Sequence, residues 1–194
     1  MAFSSLPSVA AWRHLGSRTG FEAVSFQRRD QGWVAAGSTT AVENGCAWWL
    51  IYEIELDASF RTQRATLSGA IGGGPSSSAV LESDGLGSWV VDSRSLSLLD
   101  GCLDVDLESS AMTNALPLRR LSPGIGDAVQ APAAFVRVEG LDVQRLEQRY
   151  VRLPDESHGP SFDYEAPAFA FACRIDYDAS GLVVSYPEIA ERVA

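Results

Sequence analysis

The chain has 194 residues, of which 46% are hydrophobic, and carries a net charge of −10, with arginine supplying all fifteen of its basic residues. This length suffices for one domain with a substantial core, and the acidic balance argues against nucleic acid or an anionic membrane as partner, since both recruit basic surfaces. The absence of lysine excludes a Schiff-base lysine, a phosphate-loop lysine and a Ser–Lys nucleophile. We therefore predict a single domain over residues 1–194.

Alternation with a period of two is the dominant pattern along the chain. The segments "CAWWLIYEIEL" (46–56) and "FAFACRIDYD" (169–178) place apolar side chains at every second position, namely Trp48, Leu50, Tyr52, Ile54 and Leu56 in the first and Phe169, Phe171, Cys173, Ile175 and Tyr177 in the second. Such alternation is typical of antiparallel strands with one buried face. Shorter strands are predicted around 21–29, 33–42, 61–68, 79–83, 88–91, 133–138 and 162–165.

Three further segments qualify this mainly β prediction. The ending "YPEIAERVA" predicts a short C-terminal helix, with Pro187 at its first position and Glu188 in its first turn. The stretch "LDVQRLEQRYVRL" (141–153) suits a helix or a strand, and we favour a strand. The echo between "IELDAS" (54–59) and "IDYDAS" (175–180) could mark an internal duplication of two β halves, although Asp and Ser are common in turns and coincidence is the alternative.

The segment "LDGCLDVDLESSAMTNALPLRRL" (99–121) carries the densest chemistry. If it is a strand, Asp104, Asp106 and Glu108 share one face, opposite Leu103 and Val105. A solvated acidic face is the simplest interpretation, although three neighbouring carboxylates repel one another. A calcium site requires a loop rather than an extended chain, and a catalytic pair requires carboxyl groups that flank a bond from opposite sides.

Arginines close the same segment. In a regular strand, Arg120 would share the face of two leucines, and a buried guanidinium needs an anion. That anion could be Asp104 or Asp106, which would make an internal tie between strands, or it could be an anionic ligand held bidentately. Both alternatives stay open from the sequence.

Other features narrow the class of protein. The three cysteines, Cys46, Cys102 and Cys173, are odd in number and lack C-x-x-C spacing, which predicts free buried thiols without disulfide or metal. No cofactor is predicted. The N-terminal residues lack the basic and apolar regions of a signal peptide, and no apolar run approaches about 20 residues, so we predict a soluble cytoplasmic protein without a membrane span.

The segment 99–121 resembles the signature of the bacterial family named "putative glycolipid-binding", whose members carry a "DGC-D-DL…T-x-T/N-LPIRRL" run. The likeness extends over nearly the whole chain, through "WR" (12–13), "GWVAAG" (32–37), "YEIELDASFRTQRA" (52–65), "EQRYVRL" (147–153), "FDYE" (162–165) and "GLVVSYP" (181–187). In place of "SSAMTN", the family more often has a shorter Thr-Phe-Thr-Asn stretch. The resemblance implies a curved antiparallel sheet, half-barrel or barrel-like, that is similar to bacterial lipoprotein carriers and offers an apolar concavity.

On this basis the sequence predicts a protein that holds a lipid or glycolipid. The candidate ligand-binding residues combine apolar strand positions with the polar groups of segment 99–121, and they are Trp48, Tyr52, Asp104, Asp106, Asn114, Arg119, Arg120, Phe169 and Phe171. The oligomeric state is left open.

Two other classes stay as alternatives. A β-sheet module that binds a protein partner through a sheet edge would share the fold and contain a packed core instead of a cavity. A hydrolase would need a general base, for which His14 and His158 are the only histidines, and no G-x-S-x-G, H-E-x-x-H or Cys–His arrangement occurs. We therefore predict no enzymatic activity and no catalytic residue.

Overall fold

A computed structural model describes residues 3–155 and 159–194. Within those residues, the chain forms seventeen β-strands and one α-helix. The first strands are β1 (Val9–His14), β2 (Arg18–Arg29), β3 (Gly32–Glu43), β4 (Cys46–Asp57), β5 (Thr62–Ile71), β6 (Ser77–Ser83), β7 (Trp89–Val91) and β8 (Arg94–Ser95). The later elements are β9 (Asp104–Leu107), α1 (Ala115–Leu121), β10 (Ala128–Gln130), β11 (Ala133–Val136), β12 (Val143–Leu146), β13 (Arg149–Arg152), β14 (Ser161–Ala166), β15 (Phe171–Tyr177), β16 (Val183–Tyr186) and β17 (Ala190–Arg192).

Fourteen strands form one antiparallel sheet in the order β10-β13-β14-β15-β16-β17-β1-β2-β3-β4-β5-β6-β7-β8. Strands β1 to β6 form an up-and-down run, here called the long meander, and β13 to β17 form the short meander. The two meanders meet where β17 pairs with β1. In the described part of the chain, the end strands β10 and β8 do not pair with each other, so the sheet is open rather than a closed barrel.

A second sheet of three strands, in the order β12-β11-β9, lies against the large one. Strand β9 runs parallel to β11, with Asp106 opposite Phe135. All four residues of β9 are buried, as is typical of parallel strands that are covered on both faces.

Contacts of the segment after β9 show how strongly the large sheet curves. The amide of Val105 donates to Thr62 Oγ1 of β5 at 3.0 Å, and Asn114 Oδ1 lies 3.0 Å from the Tyr150 hydroxyl of β13. Strands β5 and β13 are nine positions apart in the sheet, which would be roughly 43 Å in a flat sheet at about 4.8 Å per strand. The sheet therefore wraps around residues 105–114.

The predicted alternation is confirmed in the long meander. Trp48, Leu50, Tyr52, Ile54 and Leu56 of β4 are all buried, and the intervening side chains face outward. Segment 141–153 contains β12 and β13, as the preferred interpretation had it. The single domain over residues 1–194 and the internal duplication stay predictions.

The predicted C-terminal helix is wrong. Residues 190–192 form β17, which pairs with β16 and β1. Glu188 has a φ of 64°, outside the helical region, in the turn before the strand. An isolated helix of this length is marginal in water, whereas the strand completes hydrogen bonding on two neighbouring edges.

The strand interpretation of segment 99–121 is also wrong outside β9. Residues Met112–Asn114 form a 3₁₀ turn that leads into α1. Pro117 is the third residue of α1, where its missing N–H would have no partner within the helix. Because the residues around the arginines are helical, the alternating-face argument for Arg120 does not apply.

The acidic face is not solvated either. Asp104 and Asp106 are 1% and 7% exposed, while Val105 and Leu107 on the other face of β9 are buried as well. Phe169 also departs from its predicted strand, because it lies in a 3₁₀ turn before β15 and is 47% exposed.

Two observations bear on the class of protein. Across the described residues, no helix is long and apolar enough to cross a lipid bilayer. The three cysteines are unpaired, with Cys102 buried and Cys46 and Cys173 half-buried. His158 lies outside the described residues.

Candidate ligand-binding cavity

A cavity of about 290 Å³ opens at one end of the curved sheet. Its floor is the end of β9 and the following turn, and its walls come from the starts of β2 and β15 and the ends of β12, β14 and β16. The cavity therefore lies where the long and short meanders meet. Its volume falls at the lower end of the roughly 300–1,000 Å³ that is usual for small-molecule sites.

Apolar side chains form the wall on the side of the short meander. Tyr164, Phe171 and Tyr186 surround one another, with ring centroids 5.9 to 6.3 Å apart and interplanar angles of 58° to 80°. Phe169 and Phe135 extend this wall, with centroids 5.4 Å apart. Alternation along β14 and β15 explains the wall, because residues two apart on a strand project to the same face.

Charged groups also line the cavity. Arg18 Nε donates to Glu43 Oε2 at 3.0 Å, and Arg18 Nη1 donates to the Glu108 carbonyl at 2.8 Å. The Glu108 carboxylate lies 3.4 Å from Arg18 Nη2 and also accepts from the Val138 amide at 2.9 Å. The guanidinium is therefore already engaged by protein groups on each of its nitrogens.

Asp106 is the carboxylate at the cavity floor. It accepts hydrogen bonds from Thr113 Oγ1 at 2.7 Å and from the Gln148 side-chain amide. Burial raises the pKa of Asp106 to about 6, opposed by those two hydrogen bonds and reinforced by the nearby carboxylates of Asp104 and Glu108. No arginine pairs with Asp106 among the described residues, and this distinguishes it from Asp104.

A second buried carboxylate, Glu22 of β2, lies deeper in the core. It accepts from the Tyr52 hydroxyl at 2.5 Å, from the Ser110 hydroxyl and from the Ala111 amide at 2.8 Å. Burial raises the pKa of Glu22, against these hydrogen bonds. Gly37 faces Tyr52 across β3 and β4, and a Cβ at that position would come within 2.5 Å of the Tyr52 ring. Glycine therefore leaves the space that Tyr52 needs to reach Glu22.

His14 does not line the cavity. Its Nε2 lies 2.8 Å from Thr39 Oγ1, and Thr39 donates its hydroxyl hydrogen to the Ser109 carbonyl. The Nε2 atom must therefore be the donor to Thr39. Burial and the charge of Arg18 lower the pKa of His14 to about 4, so the ring is neutral at pH 7 and its Nε2 is occupied.

The arginines of α1 hold the fold together away from the cavity. Arg120 forms a bidentate ion pair with Asp104, with Nε to Oδ1 at 3.1 Å and Nη2 to Oδ2 at 2.6 Å. Arg119 donates to the carbonyls of Ser4 and Ser180 and lies 4.3 Å from the Phe60 ring centroid. Of the two roles that the sequence left open for Arg120, the structure shows the internal tie.

The sequence-predicted residues therefore separate into two groups. Those that line the cavity are Asp106, Asn114, Phe169 and Phe171. Those that do not are Trp48, which is buried next to Arg18, Tyr52 in the core, Asp104 and Arg120 in the ion pair, and Arg119. Their role in binding stays a prediction.

Sequence reasoning missed several lining residues, above all Arg18, Tyr164 and Tyr186. Alternation in "FDYE" and "VVSYP" could have identified the two tyrosines as inward-facing. Arg18 is the first residue of β2, and its contacts with residue 108 span 90 positions, so no local pattern marks it.

The fold and the cavity define an open, curved antiparallel β protein with an internal ligand-sized space. Comparison with known families agrees with this class: the family described as "Putative glycolipid-binding" matches residues 9–192, and the chain belongs to that family. No curated protein is significantly similar to it.

Solved structures show the same fold. A DUF1089 family protein from Pseudomonas aeruginosa is 26% identical, with a TM-score of 0.74 over 100% of this chain and 97% of that one. A beta-barrel-like protein of the domain of unknown function DUF1849 from Brucella abortus is 9% identical, with a TM-score of 0.53 over 96% and 94% of the two chains. The second likeness concerns the fold alone.

Proposed function

We propose that this protein binds an amphiphilic molecule, a lipid or glycolipid, with its apolar part along Phe135 and Phe169 and its polar head group near the charged groups of the cavity. The observation that carries the proposal is that aromatic and charged side chains line one cavity. Phe135, Phe169 and Phe171 supply its aromatic surface, and Arg18, Glu108 and Asp106 supply its charged groups. A pocket that is mostly apolar with a few convergent polar groups is the usual form of a small-molecule site.

The small volume limits what can enter. About 290 Å³ suits one segment of a ligand, such as a short acyl chain with part of a head group, and not a whole two-chain lipid. The rest of a larger molecule would extend out of the cavity. The family description supports a glycolipid as one such molecule.

Strand addition by a protein partner is less well supported. The end strands of the large sheet, β10 and β8, contain three and two residues. Such short edges offer few free backbone groups for pairing. A ligand-sized cavity together with short sheet edges favours a carrier over a strand-binding module.

Binding can be tested by filling the cavity. Ala166 of β14 lines it, and Ala172 of β15 faces the opposite side of the same strand pair. In a titration with the neutral apolar dye N-phenyl-1-naphthylamine, Ala166→Phe should lose most of the fluorescence enhancement, whereas Ala172→Phe should retain it. Native mass spectrometry with lipid extraction of protein purified from its own host would identify the natural ligand. Equal dye binding by both variants would contradict the proposal.

A further inference from the structure

The cavity that we propose for an amphiphile contains an unequal set of charges. Four carboxylates line it, from Glu43, Asp106, Glu108 and Glu188, against the single guanidinium of Arg18. Arg137 approaches Glu108 at 3.9 Å from outside. Even with Glu43 and Glu108 counted as neutralised by Arg18 and Arg137, Asp106 and Glu188 have no cationic partner within the described residues.

Arg18 is poorly placed to recognise an anionic head group. Its Nε, Nη1 and Nη2 already donate to Glu43 and Glu108. For the strong bidentate geometry, a phosphate or sulfate would have only the second N–H groups of Nη1 and Nη2, beside the two glutamates. It would also approach uncompensated carboxylates, and such juxtaposition of like charges is unfavourable in a partly buried site.

The three rings of Tyr164, Phe171 and Tyr186 suit a cation. Their centroids form a triangle with sides of 5.9, 6.1 and 6.3 Å. A cation above the middle of that triangle would lie within about 6 Å of every centroid, and each ring whose face is turned toward it would attract it. Aromatic rings that line a site are the usual means of binding quaternary ammonium groups.

From the aromatic triangle and the excess of carboxylates, we infer that the head group recognised by this cavity is an organic cation, an amine or a quaternary ammonium group carried on an apolar tail. This inference rests on the proposed amphiphile binding and narrows its ligand class. The tail lies along Phe135 and Phe169, and the ammonium contacts the aromatic triangle with Asp106 and Glu188 as counter-charges. Because the pKa of Asp106 is about 6, its carboxylate is mostly ionised at pH 7 and becomes more so when a cation binds nearby.

Three probes with the same tail separate the head-group classes: decyltrimethylammonium, decyl maltoside and decyl sulfate, all below their micellar concentrations. Displacement of bound N-phenyl-1-naphthylamine gives an affinity for each. We expect the ammonium probe to bind at least tenfold more tightly than the other two. Phe171→Leu should reduce ammonium binding at least fivefold and maltoside binding by a clearly smaller factor, whereas Phe21→Leu on the exposed face of β2 should change neither.

Asp106→Asn serves as a second variant should Phe171→Leu fold poorly, with the same selective loss of the ammonium probe expected. A maltoside or sulfate that binds as tightly as the ammonium would overturn the cationic head group while leaving amphiphile binding intact. Failure of all three probes to displace the dye, together with equal dye binding by Ala166→Phe and wild type, would overturn both.

Discussion

Strand β9 carries two aspartates, Asp104 and Asp106, whose carboxyl groups have different partners. Asp104 ends in a bidentate ion pair with Arg120 of α1, whereas Asp106 lines the cavity and, within residues 3–155 and 159–194, accepts hydrogen bonds from the neutral groups of Thr113 and Gln148. Burial raises the pKa of both carboxyl groups, and at Asp104 the guanidinium opposes that rise. One buried carboxylate is therefore committed to the fold, and the other has its charge available to a ligand.

The largest expected effect lies at the ion-paired aspartate. Arg120→Ala leaves Asp104 as an uncompensated buried charge, and loss of one partner of a buried pair costs about 3–5 kcal/mol. Chemical denaturation at pH 7 would measure this loss in the free energy of unfolding. Arg149→Ala, which removes an exposed pair with Glu165, should cost at most about 1 kcal/mol.

Ligand binding refines the same experiment. At a temperature where Arg120→Ala stays folded, dye affinity should equal that of the wild type, because Arg120 does not line the cavity. A small stability change with a large loss of binding would place Arg120 in the ligand site and reverse the comparison between the two aspartates.

Removing the charge of the cavity aspartate, Asp106, is expected to increase the free energy of unfolding, opposite to the effect of Arg120→Ala. The folded-state pKa of Asp106 is about 6, above the usual 3.8, so the folded protein holds this proton more tightly than the unfolded chain does. The ionised carboxylate therefore destabilises the fold fully above pH 6, progressively less from pH 6 to 4, and not at all below. Asp106→Asn should raise the free energy of unfolding at pH 7 by on the order of 2 kcal/mol and leave it unchanged at pH 4.

Measuring variant and wild type at each pH isolates Asp106 from other groups. Because the pKa of His14 is lowered to about 4, its protonation destabilises the folded state progressively as the pH falls from 6.5 to 4. This contribution is common to both proteins. Asp163→Asn on the exposed face of β14 is the matched control, since it replaces a carboxyl group outside the core by the same amide. A loss of stability at pH 7 in Asp106→Asn would mean that the charge, and not its burial, dominates at this site.

A smaller effect is expected from Thr113→Val, which removes the hydroxyl donor to Asp106 and the acceptor for the Leu107 amide. A hydrogen bond to a charged buried group contributes about 1.5–3 kcal/mol, and part of the loss at Asp106 is recovered by protonation. We expect a loss of about 1–2 kcal/mol by thermal unfolding and a further rise in the pKa of Asp106 by NMR titration. Unchanged titration of Asp106 would contradict the role given to this hydroxyl.

The smallest effect concerns the cavity wall. Phe169 is 47% exposed and contacts the Phe135 ring, and aromatic pairs contribute about 0.5–1.5 kcal/mol. Phe169→Leu should therefore destabilise by less than about 1 kcal/mol and weaken dye binding a few fold. Phe21→Leu, at a similarly exposed position, should leave dye binding unaltered; a loss of dye binding there as large as in Phe169→Leu would mean that the dye does not report on the cavity.

The contrast between the aspartates was beyond the sequence for a physical reason. Alternation along β4 predicted the buried positions correctly, because a long strand with one solvent-exposed face alternates with a period of two over its whole length. Segment 99–121 obeys none, since it passes from strand to 3₁₀ turn to helix within 18 residues. The tie between Asp104 and Arg120 could be stated only as one alternative, and the surroundings of Asp106 include Gln148, 42 positions away in the chain.

The junction of β1 with β17 has a consequence for biosynthesis. Arg13 and Glu191 face each other across it, although 178 residues separate them in the chain. At 5–20 residues per second, a ribosome needs about 10 to 40 s to add that length. During this interval β17 is absent, so the edge of β1 is unpaired and exposes backbone groups that could pair with other nascent chains. Chaperone binding to the newly made chain should therefore last until residues 190–192 have been synthesised and have left the exit tunnel.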